Sequence, residues 1–499
     1  MQKILEVVNT PRAQWDEQSI RKAFSEDIKT RYARIKDFEN KRQPDESRFQ
    51  LRVNSDTKAG AVPYIALIAP DQDTSGPYGG MSFVVFPADE SGPPLICMGV
   101  GTQSIAPDDR TLGRPGHARQ CRAITHWLTS LPDGGFAWAK REPVNTDEKL
   151  PLAVKDLLQP WAKSLEKYGQ VLYACHAPVG SGTQADLQAR ELAVTVFIDL
   201  FMDERGVERK NTAESAALAT RAQWMAHLLP PVERKDVGAM LQTRRFVVLE
   251  GPPGTGKTRL AEQLLQVDFE GHGQVIQFHA GTTYESFVGG LRPVTDASDQ
   301  GFRFAPGGGH LLRAIQAAAA KPDQPYLLVI DEINRADLAK VLGECLYLFE
   351  PGAPDRQVEL EHAFTELGGG QTMRLPPNLA VLGTMNTADR SIALMDVAVR
   401  RRFAFVTMWP DLSVLHDRTR ACELMQQRFT RLLDIFVAQS AEDGFALLPG
   451  HAYFLEPDEV RAKQKLQTEL KPLLLEYIAQ GHVSGFRDEV YAYIDSLPQ

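Results

Sequence analysis

The second half of this chain is predicted to be an α/β fold around a mostly parallel sheet, and two observations carry that expectation. From about residue 210 onward, short apolar runs alternate with helix-forming text: "RFVVLE", "QVIQFH", "PYLLVIDE", "NLAVLGTMN" and "RFAFVTM". Runs this short and this continuously apolar are what strands buried on both faces require. The first run also leads directly into a glycine-rich loop, "GPPGTGKT" at 251–258, which opens the helical stretch "TRLAEQLLQ". At 499 residues the chain exceeds one ordinary core. The polar stretch "ERGVERKNTAES" at 204–215 marks the expected boundary, so the domains are read as 1–205, 210–410 and 411–499.

The N-terminal region reads as α+β. In "SIRKAFSEDIKTRYARIKDFENKR", Ile20, Phe24, Ile28, Ile35 and Phe38 fall near one helical stripe with lysines and arginines around it. Three strand candidates follow, "VPYIALIA", "MSFVVFP" and "PLICMGV", separated by Gly/Pro turns that suit a small antiparallel sheet. Helical patterns then run up to the boundary. From 411 the text is helical to the end, interrupted at "LLPGHAYFLEP" (447–457).

Composition bounds the function classes. Hydrophobic residues are 43%, charged residues 24% and net charge −9, so the chain as a whole is no polyanion-binding cloud, and any nucleic-acid contact needs a local basic patch. Cys97, Cys121, Cys175, Cys345 and Cys422 are scattered and odd in number, which fits a reducing compartment rather than a disulfide framework. The N-terminus lacks a signal-peptide core, and no apolar run approaches the roughly 20 residues a bilayer span needs. A soluble, cytoplasmic protein without membrane partners is expected.

The motifs carry the chemistry. GxxxxGK[ST] between a strand and a helix is a phosphate-binding loop, in which backbone N–H groups curl around phosphates. Gly251, Pro252, Pro253, Gly254, Thr255, Gly256, Lys257, Thr258 and Arg259 form this binding stretch. Lys257 is expected at the β- and γ-phosphates, and Thr258 at Mg²⁺. In "YLLVIDEIN" (326–334), a strand brings Asp331 to its C-terminal end to hold Mg²⁺ or its waters, and places Glu332 to deprotonate an attacking water. "GTMNTADR" (383–390) follows the next strand: Asn386 is the candidate for orienting that water, with Asp389 and Arg390 on the loop behind it. In "VRRRF" (399–403), Arg400, Arg401 and Arg402 offer a guanidinium that can reach a neighbouring subunit's site.

Taken in this order, "GPPGTGKT", "IDEINRADLAKVLGE", "GTMNTADRS" and "VRRRF" resemble the AAA+ motor subunits of McrB-type, modification-dependent restriction systems. "TYESFVGGLRP" (283–293), "LLPGHAYFLEP" and "LKPLLLEYI" (470–478) resemble the family's other landmarks, and the likeness covers roughly 210–499. It implies an AAA+ core of the P-loop, ASCE-type parallel-sheet class with a C-terminal helical lid, assembled in rings, probable hexamers in that family, with nucleotide between subunits. It also implies that Asn386, Asp389 and Arg390 belong to the hydrolysis machinery, that Arg401 or Arg402 acts in trans, that GTP is favoured with ATP possible, and that a McrC-like partner brings the nuclease. The N-terminal domain of such proteins chooses the target, often modified DNA. Two alternatives stay open: a MoxR-type AAA+ chaperone remodelling a protein client, and a module that binds nucleotide only to control assembly. The Asp331–Glu332 pair speaks against the latter.

Weaker constellations compete with plain packing. His117, Cys121 and His126 do not share one helix face and lack a fourth ligand, so a mixed helix surface is the reading. Cys175 and His176 point to opposite sides of any strand. Tyr284 and Phe287 sit where AAA+ rings place pore loops and serve equally as packing residues. Tyr64, Tyr78, Trp127 and Trp138 can stack on a flipped base or fill a core. Arg21, Lys22, Lys29, Arg31, Arg34 and Lys36 can meet phosphates, but the acidic residues among them favour a solvated helix.

Overall fold

The structure, a computed structural model, describes residues 1–33, 49–55, 61–73, 76–89, 92–295, 302–388 and 397–498. Internal contacts divide the chain into two units: Met1–Leu228 with Val437–Ala441, and Leu229–Phe436 with Glu442–Gln499. The division thus falls beyond the polar stretch 204–215. The helix Asn211–Met225 buries Ala217, Trp224 and Met225 within the first unit, packing on the helix Pro115–Ser130. A polar run marked a loop there, but loop composition says nothing about which core the next helix covers.

The first unit holds a six-stranded antiparallel sheet. Its strands are β1 (Gln50–Asn54), β2 (Tyr64–Ile68), β3 (Met81–Phe86), β4 (Leu95–Val100), β5 (Phe136–Ala139) and β6 (Leu172–Ala177), in the order β1-β2-β3-β4-β6-β5. β2, β3, β4 and β6 are buried at every position, so both faces are covered. One face carries Tyr64, Ala66, Val84, Phe86, Cys97 and Cys175 into a core closed by Trp161 and Leu158. The helix Gln184–Asp203 packs on β3 and β4. The helix Glu17–Arg31 is capped by the Asp16 carboxylate, which accepts from Ser19 N at 2.8 Å, and it buries Ile20, Phe24 and Ile28 as the stripe required. Ile35, Phe38, Arg34 and Lys36 lie outside the described residues. Arg21 pairs with Glu17 at 2.8 Å and Arg31 with Asp199, so these two cations are engaged within the fold.

His117 and Tyr64 are engaged in packing. Both ring nitrogens of the buried His117 are taken, by Glu204 Oε1 at 3.1 Å and Tyr173 Oη at 3.0 Å, while His126 is exposed. Among the described residues no group of three or more His, Cys, Asp or Glu is arranged to hold a metal. Tyr64 and Phe86 both pack edge-on or stacked against Tyr168 in the sheet core. No helix among the described residues is long and apolar enough to cross a membrane.

The second unit is built on β7 (Phe246–Gly251), β8 (Gly273–Gln277), β11 (Tyr326–Asp331), β14 (Leu379–Asn386) and β15 (Ala404–Thr407), all parallel and ordered β15-β7-β14-β11-β8. Alternate residues of β7, β11 and β14 enter two different cores. Phe246, Val248, Leu328, Ile330 and Val381 face the helix His310–Ala320. Val247, Leu249, Leu327, Val329 and Leu382 face the helices Arg234–Arg244 and Lys257–Gln263. Each such side chain contributes about 1.5–3 kcal/mol on burial, which is why the strands read as unbroken apolar runs. Two hairpins join this core: β9 (Gly289–Thr295) with β10 (Phe302–Gly308), and β12 (Gln357–Phe364) with β13 (Gly370–Arg374). The C-terminal part is helical, with Glu423–Gln439, Glu459–Lys465, Lys471–Ala479 and Arg487–Asp495 as its α-helices longer than five residues and a 3₁₀ turn at His451–Phe454.

Candidate functional site

β7, β11 and β14 end together, and their register sets the site: Gly251 lies opposite Asn386, and Ile330 opposite Gly383. Beyond β7 the loop 252–256 curls back on itself. Gly256, at φ +85°, precedes the helix Lys257–Gln263 in a conformation that side-chain-bearing residues adopt at a cost. Thr255 is buried and donates to Pro252 O at 3.1 Å, stapling the loop from inside. Lys257 Nζ donates to Gly251 O at 3.0 Å and Pro252 O at 2.8 Å, so the ammonium fills the hollow of the loop. Burial pushes its pKa down to about 8, while Glu332 and Asp331 hold it up. Arg259, one turn on, is exposed.

At the end of β11, two hydroxyls converge on one carboxylate oxygen. Thr258 Oγ1 donates to Asp331 Oδ1 at 2.9 Å, and Thr384 Oγ1 donates to the same atom at 2.6 Å. Glu332 follows in a left-handed conformation (φ 54°, ψ 46°), which costs a residue with a Cβ about 1–2 kcal/mol. Its N–H donates to Thr384 Oγ1 at 3.2 Å, and its Oε2 makes no hydrogen bond among the described residues, with Arg335 Nε 3.3 Å away. Asn334, nearly buried, donates from Nδ2 to Asn386 O at 3.3 Å and ties the turn after β11 to the tip of β14. Asn386 is half-buried, and its Oδ1 accepts from Ala388 N at 3.4 Å. Asp389 and Arg390 lie outside the described residues.

The three arginines differ in their surroundings. Arg402 is buried, donates to Ala398 O at 2.6 Å and lies 3.5 Å from Glu350. Arg400 is exposed, 3.7 Å from Glu250 and stacked over Phe405. Arg401 is exposed and its side chain has no ion-pair partner among the described residues. Of the two aromatics after β8, Phe287 is buried against Phe278, and Tyr284 donates to Glu344 at 2.7 Å.

The segment 447–457, an interruption in helical text and one of the family's landmarks by resemblance, completes the loop's surroundings. Gly450 N donates to Pro253 O at 2.8 Å and Ala452 N to Gly254 O at 3.0 Å, so the helical part hydrogen-bonds to the loop backbone. Gly450 has no room for a Cβ, which would stand 2.0 Å from Gly254 C. His451 Nδ1 accepts from Asp411 N at 3.0 Å, and burial holds its pKa below the usual histidine range. The proton of the neutral ring therefore sits on Nε2, on the Gly256 side. "PGH" within helical text was the available signal, but spacing alone does not reveal which loop it meets. Thr384 and Asn334 were likewise not singled out, because their partners come from other strands.

Residues 246–403 match the AAA domain of the dynein-related subfamily. The Type IV methyl-directed restriction enzyme EcoKMcrB subunit of Escherichia coli (strain K12) is 29% identical over 335 residues, covering 62% of this chain and 71% of that protein. The Type II restriction enzyme BsuMI component YdiS of Bacillus subtilis (strain 168) is 27% identical over 191 residues, covering 32% of this chain and 55% of that protein. The matched domain has the five-stranded parallel sheet described above, with the glycine-rich loop 252–256 at its strand ends. This chain is an McrB-like AAA+ protein.

Proposed function

We propose that the chain is the Mg²⁺-dependent, GTP-favouring triphosphatase of a cytoplasmic restriction or anti-phage complex, with ATP the alternative substrate. The observation that carries this reading is the gathering of Lys257, Thr258, Asp331 and Glu332 at one end of the sheet, around a loop with its backbone curled for phosphate. The hard oxygen donors Thr258 Oγ1 and Asp331 Oδ1, 2.9 Å apart, suit Mg²⁺, which takes one or two protein ligands and fills its remaining positions with phosphate oxygens and water. Bound there, the ion would neutralise charge on the β- and γ-phosphates.

Lys257 leaves its two carbonyl partners for the phosphates. Glu332 takes a proton from water as the water oxygen bonds to the γ-phosphorus and the bridging P–O bond breaks toward the diphosphate. Asn386 orients that water, and Asp389 and Arg390 take their roles from the family resemblance. Arg401 reaches a neighbouring subunit's site in a ring, a hexamer in this reading; Arg402 is engaged inside its own subunit and fits that task poorly. A McrC-like subunit supplies the nuclease, and the N-terminal region, 1–205 as read from sequence, recognises DNA, as the methyl-directed relative's name supports. Both restriction relatives favour this reading over the chaperone alternative.

The lysine supplies a test. Free Lys257 titrates at about 8, and bound phosphates raise that value because they favour the charged form. Between the two values the complex holds more protons than the free protein, so affinity falls as pH rises through 8. Titrating a fluorescent GTP analogue is expected to show Kd weakening by up to about tenfold per pH unit above 8, with little change between pH 6.5 and 7.5. A flat profile to pH 9.5 counts against Lys257 as the phosphate contact.

A further inference from the structure

We infer that Thr384 is a positioning residue, whose single hydroxyl holds the proposed metal carboxylate Asp331 and the proposed base Glu332 in fixed relation. This inference rests on the reading of the site given above. Thr384 lies on β14, two residues before Asn386, and is 2% exposed. The direction of its two hydrogen bonds follows from chemistry. A carboxylate only accepts, so the hydroxyl proton must point to Asp331 Oδ1, at 2.6 Å. The oxygen's lone pairs are then free for the Glu332 N–H, at 3.2 Å.

Both partners lie across the sheet on β11 and the residue after it. Most side-chain hydrogen bonds in proteins go to backbone or water rather than to another side chain. Here the hydroxyl bonds to the two acidic positions on which hydrolysis is proposed to depend. The bond to Glu332 N–H also supports the left-handed backbone that turns this residue out of the strand direction. Thr384 and Thr258 both donate to Asp331 Oδ1, so Thr384 holds that oxygen from the sheet while Thr258 holds it from the helix after the loop. Asn386 then shares its strand with the group that sets Glu332, so the two residues proposed to handle water are referenced to the same backbone.

Thr384→Val keeps the volume and the branched Cβ but removes both hydrogen bonds, and Thr384→Ser keeps the hydroxyl. The full chain is compared for kcat and KM with GTP and ATP, for Kd of a non-hydrolysable GTP analogue, and for Tm. Thr384→Val is expected to lower kcat at least about tenfold while analogue Kd stays within about threefold, and to raise the Mg²⁺ concentration needed for half-maximal turnover. Thr384→Ser is expected to recover kcat to within about threefold of wild type. Should Thr384→Val not fold, Thr384→Cys carries the same comparison with a weak donor of similar volume. Wild-type kcat in the Val or Cys variant, or equal loss in the Ser variant at unchanged Tm, overturns the inference. Glu332→Gln run in parallel separates the two levels. Normal turnover there removes the base assignment and this inference with it, whereas loss there beside normal Thr384→Val turnover overturns the Thr384 role alone.

Discussion

Glu332→Gln is expected to lower kcat for nucleoside triphosphate hydrolysis by about 10²–10⁴-fold and leave nucleotide Kd nearly unchanged. The substitution is isosteric and removes the proton acceptor. It deletes no hydrogen bond of the carboxylate oxygen nearest Arg335, because Oε2 makes none among the described residues. The ion pair with Arg335 is exposed on the arginine side and contributes little in water. The Glu332 N–H bond to Thr384 Oγ1 belongs to the backbone and survives. Folding and the phosphate-loop contacts of Lys257 are therefore preserved, and the loss falls on the chemical step. Phosphate release measured beside binding of a fluorescent nucleotide checks this. Turnover within about threefold of wild type, with binding intact, removes Glu332 as the base.

Arg401→Ala is expected to lower kcat by about 10³-fold once subunits assemble, with Tm unchanged. The side chain is exposed and has no ion-pair partner among the described residues, while its backbone N–H donates to Val397 O at 3.1 Å. Arg402→Ala should behave differently: its guanidinium is buried, bonded to Ala398 O and beside Glu350, so its loss lowers Tm. Mixing distinguishes action in trans from action in cis. A site on an Arg401→Ala subunit keeps its own Glu332 and can take an intact Arg401 from a Glu332→Gln neighbour. Equimolar mixtures of the two inactive variants are therefore expected to regain turnover. Arg401→Ala at wild-type rate, or mixtures that stay silent, contradict the assignment.

Elements whose physics is local were legible in the sequence. β7, β11 and β14 are buried on both faces and read as apolar runs, and the phosphate-binding loop announces itself through glycines between a strand and a helix. Ile20, Phe24 and Ile28 marked the helix Glu17–Arg31, which ends before the Ile35 and Phe38 that the stripe also included. Half-buried β1 and β5 show no alternation to find, and the β9–β10 hairpin leaves Leu291 and Phe304 largely exposed between Gly- and Pro-rich ends. The least legible features were those made by distant pairings. Thr384 meets Asp331 across 53 positions of chain, and Gly450 meets Pro253 from the far end of the sequence. The position of the unit boundary depended on where the helix Asn211–Met225 packs, which its own composition does not reveal. Asn386 reached its place at Gly251 through register alone, so the polar tip after β14 gains its meaning from two neighbouring strands.

In the proposed reaction this site hydrolyses a nucleoside triphosphate with Lys257 on the phosphates and Glu332 on the water. Phosphate release by the full chain, measured with GTP and with ATP in the presence and absence of Mg²⁺, tests it most directly. Mg²⁺-dependent release is expected, with kcat/KM for GTP exceeding that for ATP by at least about tenfold. Absence of release from both nucleotides contradicts the hydrolysis claim, and a preference for ATP contradicts the GTP assignment.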